Sequence, residues 1–280
     1  MPESKTALVT GAGGGLGSAL VRRLSGASWT VFAADYDDDA LASVGELPNV
    51  EPLVLDVTDA EAVQRAVGDV TQKTDHLDGV VNFAGVTGFG ALIDMPEEKL
   101  HRVLDVNLLG TFRVNQAFFP LVLACKGRIV NVSSETGWQS SPPFVGAYAL
   151  SKHAIEAYTD SLRRELRLLD VSVITIQPGP FKTDMVTRIE AQFSEAERES
   201  RYFASVIGRL KRPAVKAAGK AHDPDVLARV VEHALTTKRP KPAYSVKPEA
   251  WRVVLHWLPT RVADRVWVAA LRGLSKPSAD

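Results

Sequence analysis

The stretch ALVTGAGGGLG at residues 7–17 decides the fold class, because a short apolar run passes through a glycine cluster into a segment of helical period. Five similar runs follow: WTVFAAD, EPLVLDV, DGVVNFAG, GRIVNVSS and VSVITIQPG. Amphipathic segments separate them, and this alternation predicts an α/β fold, a doubly wound parallel sheet with helices on both faces. The runs lack strict alternation of apolar and polar residues, as expected of strands covered on both sides.

The length of 280 residues predicts one domain. Within it, residues 184–222 are charged and helix-prone, and they are too many for an ordinary connection. We expect this segment to be an insertion that covers a substrate site. The sequence DPDVLARVVEHALT then predicts a helix with Asp223 as its N-cap and Pro224 at its first position.

Residues 248–274 predict an amphipathic C-terminal extension that Pro259 interrupts. Its apolar residues recur at helical spacing, as at Val254, Leu258, Val262 and Val266. Such a stripe covers either the domain's own core or a partner subunit. The alternative is a pair of helices that meets a membrane surface through Trp251, Trp257 and Trp267.

The composition is that of an ordinary globular protein, with 45% hydrophobic residues, 24% charged residues and no net charge. It predicts small-molecule partners and no binding of nucleic acid. The one cysteine, Cys125, has no second cysteine to pair with, and His222, His233 and His256 lack metal-ligand spacing, so we expect neither a disulfide nor a metal site. The N-terminus does not have the pattern of a secretory signal, and no run approaches the roughly 20 apolar residues of a membrane span. These features predict a cytoplasmic protein that does not cross membranes.

The glycine cluster TGAGGGLG at residues 10–17 follows the first strand and opens a helix. Glycines at Gly11, Gly15 and Gly17 would permit a tight turn and let backbone N–H groups approach a pyrophosphate. The cluster therefore predicts a dinucleotide-binding loop. A merely flexible turn between strand and helix is the alternative.

Acidic residues near the end of the second strand bear on the choice of dinucleotide. Asp35 lies eighteen positions beyond Gly17, where a carboxylate can accept hydrogen bonds from ribose hydroxyls, and this favours NAD over NADP. We interpret Asp37, Asp38 and Asp39 as acids at a helix N-terminus. Asp56 could reach the adenine or cap the helix that begins near Asp59, and the sequence leaves both open.

Motifs in a fixed order carry a resemblance to a known family. They are TGxxxGxG at 10–17, NFAG at 82–85, VSS ending at Ser134, YxxxK at 148–152 and PGPFKT at 178–183. In these motifs, over about residues 5–240, the chain resembles the short-chain dehydrogenase/reductase family, and its YxxxK helix and C-terminal segment resemble the retinol and hydroxysteroid dehydrogenase branch. The resemblance implies a Rossmann fold. NFAG departs from the family's NNAG, since Phe83 stands where an asparagine steadies the sheet.

Tyr148 and Lys152 share one face of a helix, because they are four residues apart. A phenol with a pKa near 10 is a poor base at neutral pH, and a lysine cation nearby would lower that pKa toward the working range. We therefore expect Lys152 to tune Tyr148 as an acid–base group. The alternative is a tyrosine packed under a surface lysine. His153 points elsewhere on the helix.

The family resemblance implies the remaining roles. Ser134, selected over Ser133 by the SxxG pattern, would donate to the substrate oxygen. Asn107 would kink its helix and hold a water that links Lys152 to solvent, or else be a buried asparagine without catalytic duty. Lys152 would also bind the ribose of the nicotinamide, and Thr183 its carboxamide. The complete predicted cofactor site is Gly11, Gly15, Leu16, Gly17, Asp35, Asp56, Val57, Asn82, Ala84, Gly85, Tyr148, Lys152, Pro178, Gly179 and Thr183.

These observations together predict an NAD-dependent oxidoreductase that interconverts an alcohol and its carbonyl on a fairly hydrophobic substrate of sterol, retinoid or aliphatic type. An NADPH-linked carbonyl reductase and a non-catalytic module that binds NAD(H) are the alternatives. The family resemblance further implies a homodimer or homotetramer built on long helices.

Overall fold

The computed structural model describes residues 4–183 and 188–273. Its centre is a seven-stranded parallel sheet with the strand order β3-β2-β1-β4-β5-β6-β7. The strands are β1 (Thr6–Thr10), β2 (Thr30–Asp35), β3 (Val50–Val54), β4 (Gly79–Asn82), β5 (Arg128–Val132), β6 (Ser172–Pro178) and β7 (Ala243–Val246). The first six coincide with the six predicted runs, so the predicted doubly wound sheet is confirmed.

Helices connect the strands and cover both faces of the sheet. They are α1 (Gly15–Gly26), α2 (Asp38–Gly45), α3 (Ala60–Thr71), α4 (Glu97–Leu104), α5 (Thr111–Cys125), α6 (Gly146–Leu166), α7 (Ile189–Glu199), α8 (Ala204–Ala218), α9 (Pro224–Thr236), α10 (Ala250–His256) and α11 (Thr260–Gly273). A π-helical segment, Asp105–Gly110, joins α4 to α5, and short 3₁₀ turns lie at Glu135–Gly137 and Arg167–Leu169.

Side chains of the central strand β1 enter two separate cores. Ala7 and Val9 belong to a core that α1 and α9 complete, whereas Leu8 belongs to one that α3 and α5 complete. Successive residues of a strand point to opposite faces, so a strand covered on both sides must be apolar at every position. This explains why the predicted runs lack a polar face.

The segment predicted as an insertion folds into the helices α7 and α8, while residues 184–187 of it lie outside the described residues. A small core of Phe193, Ala196 and Ile207 holds the two helices together. Phe193 also contacts Phe89 after β4, with 4.0 Å between ring centroids. Phe203 contacts Phe144, four residues before Tyr148, at 5.6 Å. The two helices are thus joined to loops beside the YxxxK helix.

The capped helix is confirmed, because Asp223 accepts a hydrogen bond from the backbone of Asp225 and Pro224 is the first residue of α9. The extension at 248–274 forms α10 and α11, broken before Thr260, and its last residue lies outside the described part of the chain.

The apolar stripe of the extension faces outward. Val254, Leu258, Val262 and Val266 are all exposed, with 63% of Val254 accessible. The interpretation that this stripe covers the domain's own core is therefore wrong. A partner subunit and a membrane surface stay as the interpretations.

One helical stretch in the described residues, Glu97–Cys125, is long and apolar enough by length and composition to cross a membrane. Its second half buries Val114 and Phe118 in the core formed with α3 and the sheet. The fold therefore packs the second half of this stretch against its core.

Candidate active site

The carboxyl ends of the parallel strands bring the predicted residues to one edge of the sheet. The glycine loop follows β1, Asn82 ends β4, Ser134 follows β5 by two residues, and Pro178 ends β6. The strand order reverses between β1 and β4, which is where ligands bind in open α/β sheets. Residues far apart in sequence thus form one candidate site.

The glycine loop is built from close backbone approaches. Gly11 has a φ of +66°, and a Cβ there would lie 2.7 Å from the backbone nitrogen of Ala84. A Cβ on Gly17 would lie 2.0 Å from the carbonyl oxygen of Gly11. The N-cap of α1 is Gly14, and none of the described side chains caps it. The loop therefore leaves the N-terminal N–H groups of α1 for an anion, which fits the pyrophosphate of a dinucleotide.

The Asp35 carboxylate contacts the backbone of the glycine loop. It is 8% exposed, and its Oδ2 accepts a hydrogen bond from Gly13 N at 2.9 Å. Asp37 caps α2 by accepting from Ala40 N, with Asp38 and Asp39 in the first turn. The interpretation of Asp37, Asp38 and Asp39 as acids at a helix N-terminus is confirmed.

Asp56 does not cap a helix. Its Oδ1 accepts from the backbone N–H and the hydroxyl of Thr58, at 2.8 and 2.7 Å. Asp59 is the N-cap of α3. The capping alternative for Asp56 is therefore wrong, and its contact with adenine stays a prediction. Val57 beside it is buried.

Asn82 takes part in a network of buried amides. Its Nδ2 donates to Asn115 Oδ1 at 2.8 Å and to Asn131 Oδ1 at 3.0 Å. The amide groups thus tie β4, β5 and α5 together, a structural role that was not predicted. The neighbouring Phe83 keeps its backbone hydrogen bond to Thr10 O at 3.2 Å, while its side chain packs against the core.

Asn107 lies in the π-helical segment, so the predicted irregularity of its helix is present. Its Oδ1 accepts from Val86 N at 2.7 Å, and its Nδ2 donates to Val86 O and to Ser151 Oγ, both at 2.9 Å. The amide therefore joins the loop after β4 to α6, one residue before Lys152. These bonds use both hydrogens of the amide, and the water relay stays a prediction.

The two serines after β5 have different partners. Ser133 Oγ donates to the carbonyl of Lys152 at 3.3 Å. Ser134 Oγ accepts from Thr136 N at 3.2 Å and forms a hydrogen bond with Tyr148, which favours the ionised phenol. Ser134, the predicted residue, is thus the serine that contacts the tyrosine.

Tyr148 and Lys152 do not interact as predicted. Burial raises the pKa of Tyr148, and the Ser134 hydrogen bond only partly opposes this. Lys152 Nζ lies 5.6 Å from the centre of the phenol ring and donates to the carbonyl of Val132 at 2.8 Å. Burial lowers the pKa of Lys152 to about 8. The expectation that Lys152 brings the pKa of Tyr148 down is therefore wrong, because desolvation dominates both groups.

The loop after β6 approaches the glycine loop. A Cβ on Gly179 would lie 2.0 Å from the carbonyl of Lys247, so this position requires glycine. Thr183 approaches Gly15, because a Cβ there would lie 3.1 Å from the Thr183 Cγ2. Thr183 thus lies beside the predicted dinucleotide loop.

A buried ion pair was missed by the sequence analysis. Glu135, directly after Ser134, contacts Arg252 of α10 with 2.7 Å between Oε1 and Nη1. The two residues are 117 positions apart, so no local pattern could reveal them. In the described residues, no group of three or more His, Cys, Asp or Glu side chains could hold a metal ion.

A family model described as short chain dehydrogenase matches residues 5–193. The chain belongs to the short-chain dehydrogenase/reductase family. Retinol dehydrogenase 16 of Mus musculus is 34% identical over 94% of this chain and 87% of its own. The NADPH-dependent 3-dehydrocapnine reductase of Ornithobacterium rhinotracheale is 29% identical over 97% of this chain and 99% of its own. A crystal structure of NAD⁺-bound xylitol dehydrogenase superposes with a TM-score of 0.75 at 29% identity, over 86% of this chain and 97% of the other.

This short-chain dehydrogenase/reductase resembles the retinol and hydroxysteroid dehydrogenase branch, as predicted. It is a member of an oxidoreductase family with a Rossmann fold that binds a nicotinamide cofactor and acts on small molecules. Structural relatives hold NAD in one case and NADPH in another, so the family alone does not choose between them.

Proposed function

We propose that the chain is an NAD-dependent dehydrogenase that interconverts an alcohol and its carbonyl on a fairly hydrophobic substrate. The observation that carries this proposal is the hydrogen-bonded pair Ser134 and Tyr148 beside Lys152, at the sheet edge where the glycine loop opens α1. The names of the retinol dehydrogenase and 17-beta-hydroxysteroid dehydrogenase relatives support an apolar alcohol of retinoid or sterol type. Aliphatic alcohols belong to the same proposal.

Each residue of the candidate tetrad has one task. The ionised phenol of Tyr148 takes the proton of the substrate hydroxyl. When substrate is bound, Ser134 donates its one hydroxyl hydrogen to the substrate oxygen instead of to Tyr148. Lys152 binds the ribose hydroxyls of the cofactor. Asn107 holds the backbone of Val86 and the start of the Lys152 turn in place. A bound nicotinamide supplies the hydride acceptor for oxidation or the hydride donor for reduction.

The chemistry is tested by single-turnover measurements on Tyr148→Phe with a panel of retinoids, sterols and aliphatic alcohols. We expect a loss of about 100-fold or more, because the proton acceptor is gone. Tyr158→Phe is the matched control, since Tyr158 lies on the same helix and accepts a hydrogen bond from Asn115 at 3.2 Å. Undiminished turnover of Tyr148→Phe would remove the mechanism.

The preference for NAD rests on Asp35. A 2′-phosphate would meet its carboxylate, which is nearly buried and already bound to Gly13 N, and the glycine loop contains no arginine or lysine that could neutralise the phosphate. The remaining cofactor contacts in this proposal are made by residues already predicted from the sequence, among them Leu16, Gly17, Val57, Ala84, Gly85 and Thr183.

Calorimetry of NAD⁺ and NADP⁺ binding tests this preference. Asp35→Asn removes the charge but keeps an oxygen that can accept from Gly13 N, so it separates repulsion from loop structure. We expect wild type to prefer NAD⁺ and the variant to gain affinity for NADP⁺ by about 10-fold or more. An NADPH-linked reductase, which the 3-dehydrocapnine reductase relative favours, would instead bind NADP⁺ tightly without substitution.

A non-catalytic module that binds NAD(H) is the competing class. It predicts tight cofactor binding by calorimetry together with no hydride transfer across the whole panel. The Ser134–Tyr148 hydrogen bond argues against this class, because a binding module does not require it.

We further propose that residues 184–222 cover the substrate. The ring contacts of Phe193 with Phe89 and of Phe203 with Phe144 support this, since they attach α7 and α8 to loops beside Tyr148. Exchanging Phe193 for alanine should change the order of preference among panel substrates while leaving NAD⁺ affinity unchanged. An unchanged order would contradict the assignment.

We propose a cytoplasmic homodimer or homotetramer. Leu109, Phe112 and Leu150 support an oligomer built on long helices, because they are apolar and 42–47% exposed on the π-helical segment, α5 and α6. Light scattering of the purified chain measures the assembly. Flotation with liposomes tests the outward face of α10 and α11, on which Trp257 is 76% exposed. Binding to liposomes would assign this face to a membrane surface rather than to a subunit.

A further inference from the structure

A buried ion pair lies directly behind the candidate catalytic serine. Glu135 is 5% exposed and Arg252 is 6% exposed. Glu135 Oε1 accepts from Arg252 Nη1 at 2.7 Å, and its Oε2 accepts from the backbone N–H of Glu249 at 2.8 Å. Both carboxylate oxygens are therefore held by the start of the C-terminal extension.

The Ser134 turn and α10 are joined by a second contact. The ring of Trp138 meets the ring of His256 with 5.6 Å between centroids. The turn at residues 134–138 thus contacts Tyr148 through Ser134, and it contacts α10 through Glu135 and Trp138. We therefore expect the contacts between this turn and α10 to fix the position of the Ser134 hydroxyl.

A buried ion pair gives no clear gain in stability over apolar residues of the same volume, because removing two charges from water costs about as much as their attraction returns. Stability therefore does not explain the pair, whereas both of its charges act on the phenol of Tyr148. We propose that Glu135 and Arg252 are a positioning pair, which seats the Ser134 turn and sets the net charge that faces the Tyr148 hydroxyl.

The charges around Tyr148 support this assignment. Glu135 raises the pKa of Tyr148 and Arg252 lowers it, so the intact pair presents opposing charges to the phenol. Lys152 lies 5.6 Å from the ring centre, and Glu156 faces Lys152. Glu249 faces Glu135 from the residue before α10. Of these groups, the pair is the one that links the phenol to the C-terminal extension.

The inference rests on the proposed function only for the role of Tyr148 as proton acceptor, so its test needs no substrate. The chain contains five tyrosines, and all are replaced by 3,5-difluorotyrosine, which is more acidic and titrates where the protein is folded. Fluorine NMR then follows each tyrosine as pH rises. The Tyr148→Phe variant identifies the resonance of Tyr148.

The two single variants should move this titration in opposite directions. Glu135→Gln leaves the cation of Arg252 alone and lowers the pKa of Tyr148, whereas Arg252→Met leaves the carboxylate alone and raises it, each by about half a pH unit or more. The double variant should titrate near wild type, and Arg252→Lys should restore much of the effect of Arg252→Met. Should Arg252→Met fail to fold, Glu135→Gln and the double variant still decide the sign.

Shifts in one common direction, or none in Glu135→Gln, would overturn the inference, since a merely structural pair would loosen the site equally from either side. The pH profile of kcat/KM for alcohol oxidation should shift with the NMR titration. If Tyr148→Phe keeps full activity, the proposed function fails while the NMR result still stands on its own.

Discussion

Replacing Lys152 by methionine should stabilise the fold near neutral pH and change how its stability depends on pH. Lys152 is 5% exposed, and burial lowers its pKa from the ordinary 10.5 to about 8. The difference corresponds to about 3 kcal/mol by which burial disfavours the ammonium ion, at about 1.4 kcal/mol for each tenfold change. Methionine fills similar space without a charge.

The sign follows from the two protonation equilibria. Below pH 8 the lysine is charged in the folded and unfolded states, so the full cost of burial is present. As pH rises through 8 the folded lysine releases its proton while the unfolded lysine keeps it, and the cost falls up to pH 10.5. Wild type should therefore gain about 2 kcal/mol relative to Lys152→Met between pH 7 and pH 10.

Urea unfolding of both proteins at several pH values measures this difference. Methionine also removes the hydrogen bond to Val132 O, and that loss changes the size of the difference but not its trend with pH. Lys126→Met is the matched control, because Lys126 is 63% exposed and pairs with Asp170 at the surface. A difference between wild type and Lys152→Met that stays constant from pH 7 to pH 10 would refute the buried, depressed lysine.

Three further substitutions and one control test the scaffold. Gly17→Ala places a Cβ 2.0 Å from Gly11 O and should abolish measurable NAD⁺ binding by calorimetry, whereas Gly26→Ala in the same helix meets nothing within 4 Å and should bind normally. Arg128→Met loses two hydrogen bonds of 2.6 Å to carbonyls at the end of α9, and should lower the free energy of unfolding by about 1–3 kcal/mol in urea titrations. Asn131→Leu removes one hydrogen bond from each of three buried partners, Asn82, Asn115 and Thr159, and should cost about 3 kcal/mol or more by the same measurement, and near-wild-type stability would contradict the network.

Most of the sheet was predictable because each of its inner strands is a recognisable run of apolar residues. The strand around Leu8 and Val9 is a β-branched apolar run, and burial on both faces demands such a run. Strand β7 was missed, since its four residues AYSV lie at the sheet edge and are mostly not buried. A short edge strand carries too little apolar pattern to be distinguished from a loop.

The candidate site was predictable where the backbone requires one particular residue type. Gly11 and Gly17 are glycines because neighbouring backbone leaves no room for a Cβ. The electrostatics were not predictable from spacing. The i, i+4 relation puts Lys152 on the face of Tyr148, but the direction of its ammonium group depends on the carbonyl of Val132, which strand β5 supplies.

The sequence alone determined the parallel sheet, the glycine loop and the order of the motifs, because each is written in residues that are close together in the chain. Tertiary structure decided which charges face Tyr148. Burial raises the pKa of that phenol, Ser134 bonds to it from the turn after β5, and Arg252 contacts Glu135, which is 117 positions away in the sequence. Coulomb interaction and desolvation depend on distance and burial in space, and neither quantity is encoded by neighbours along the chain.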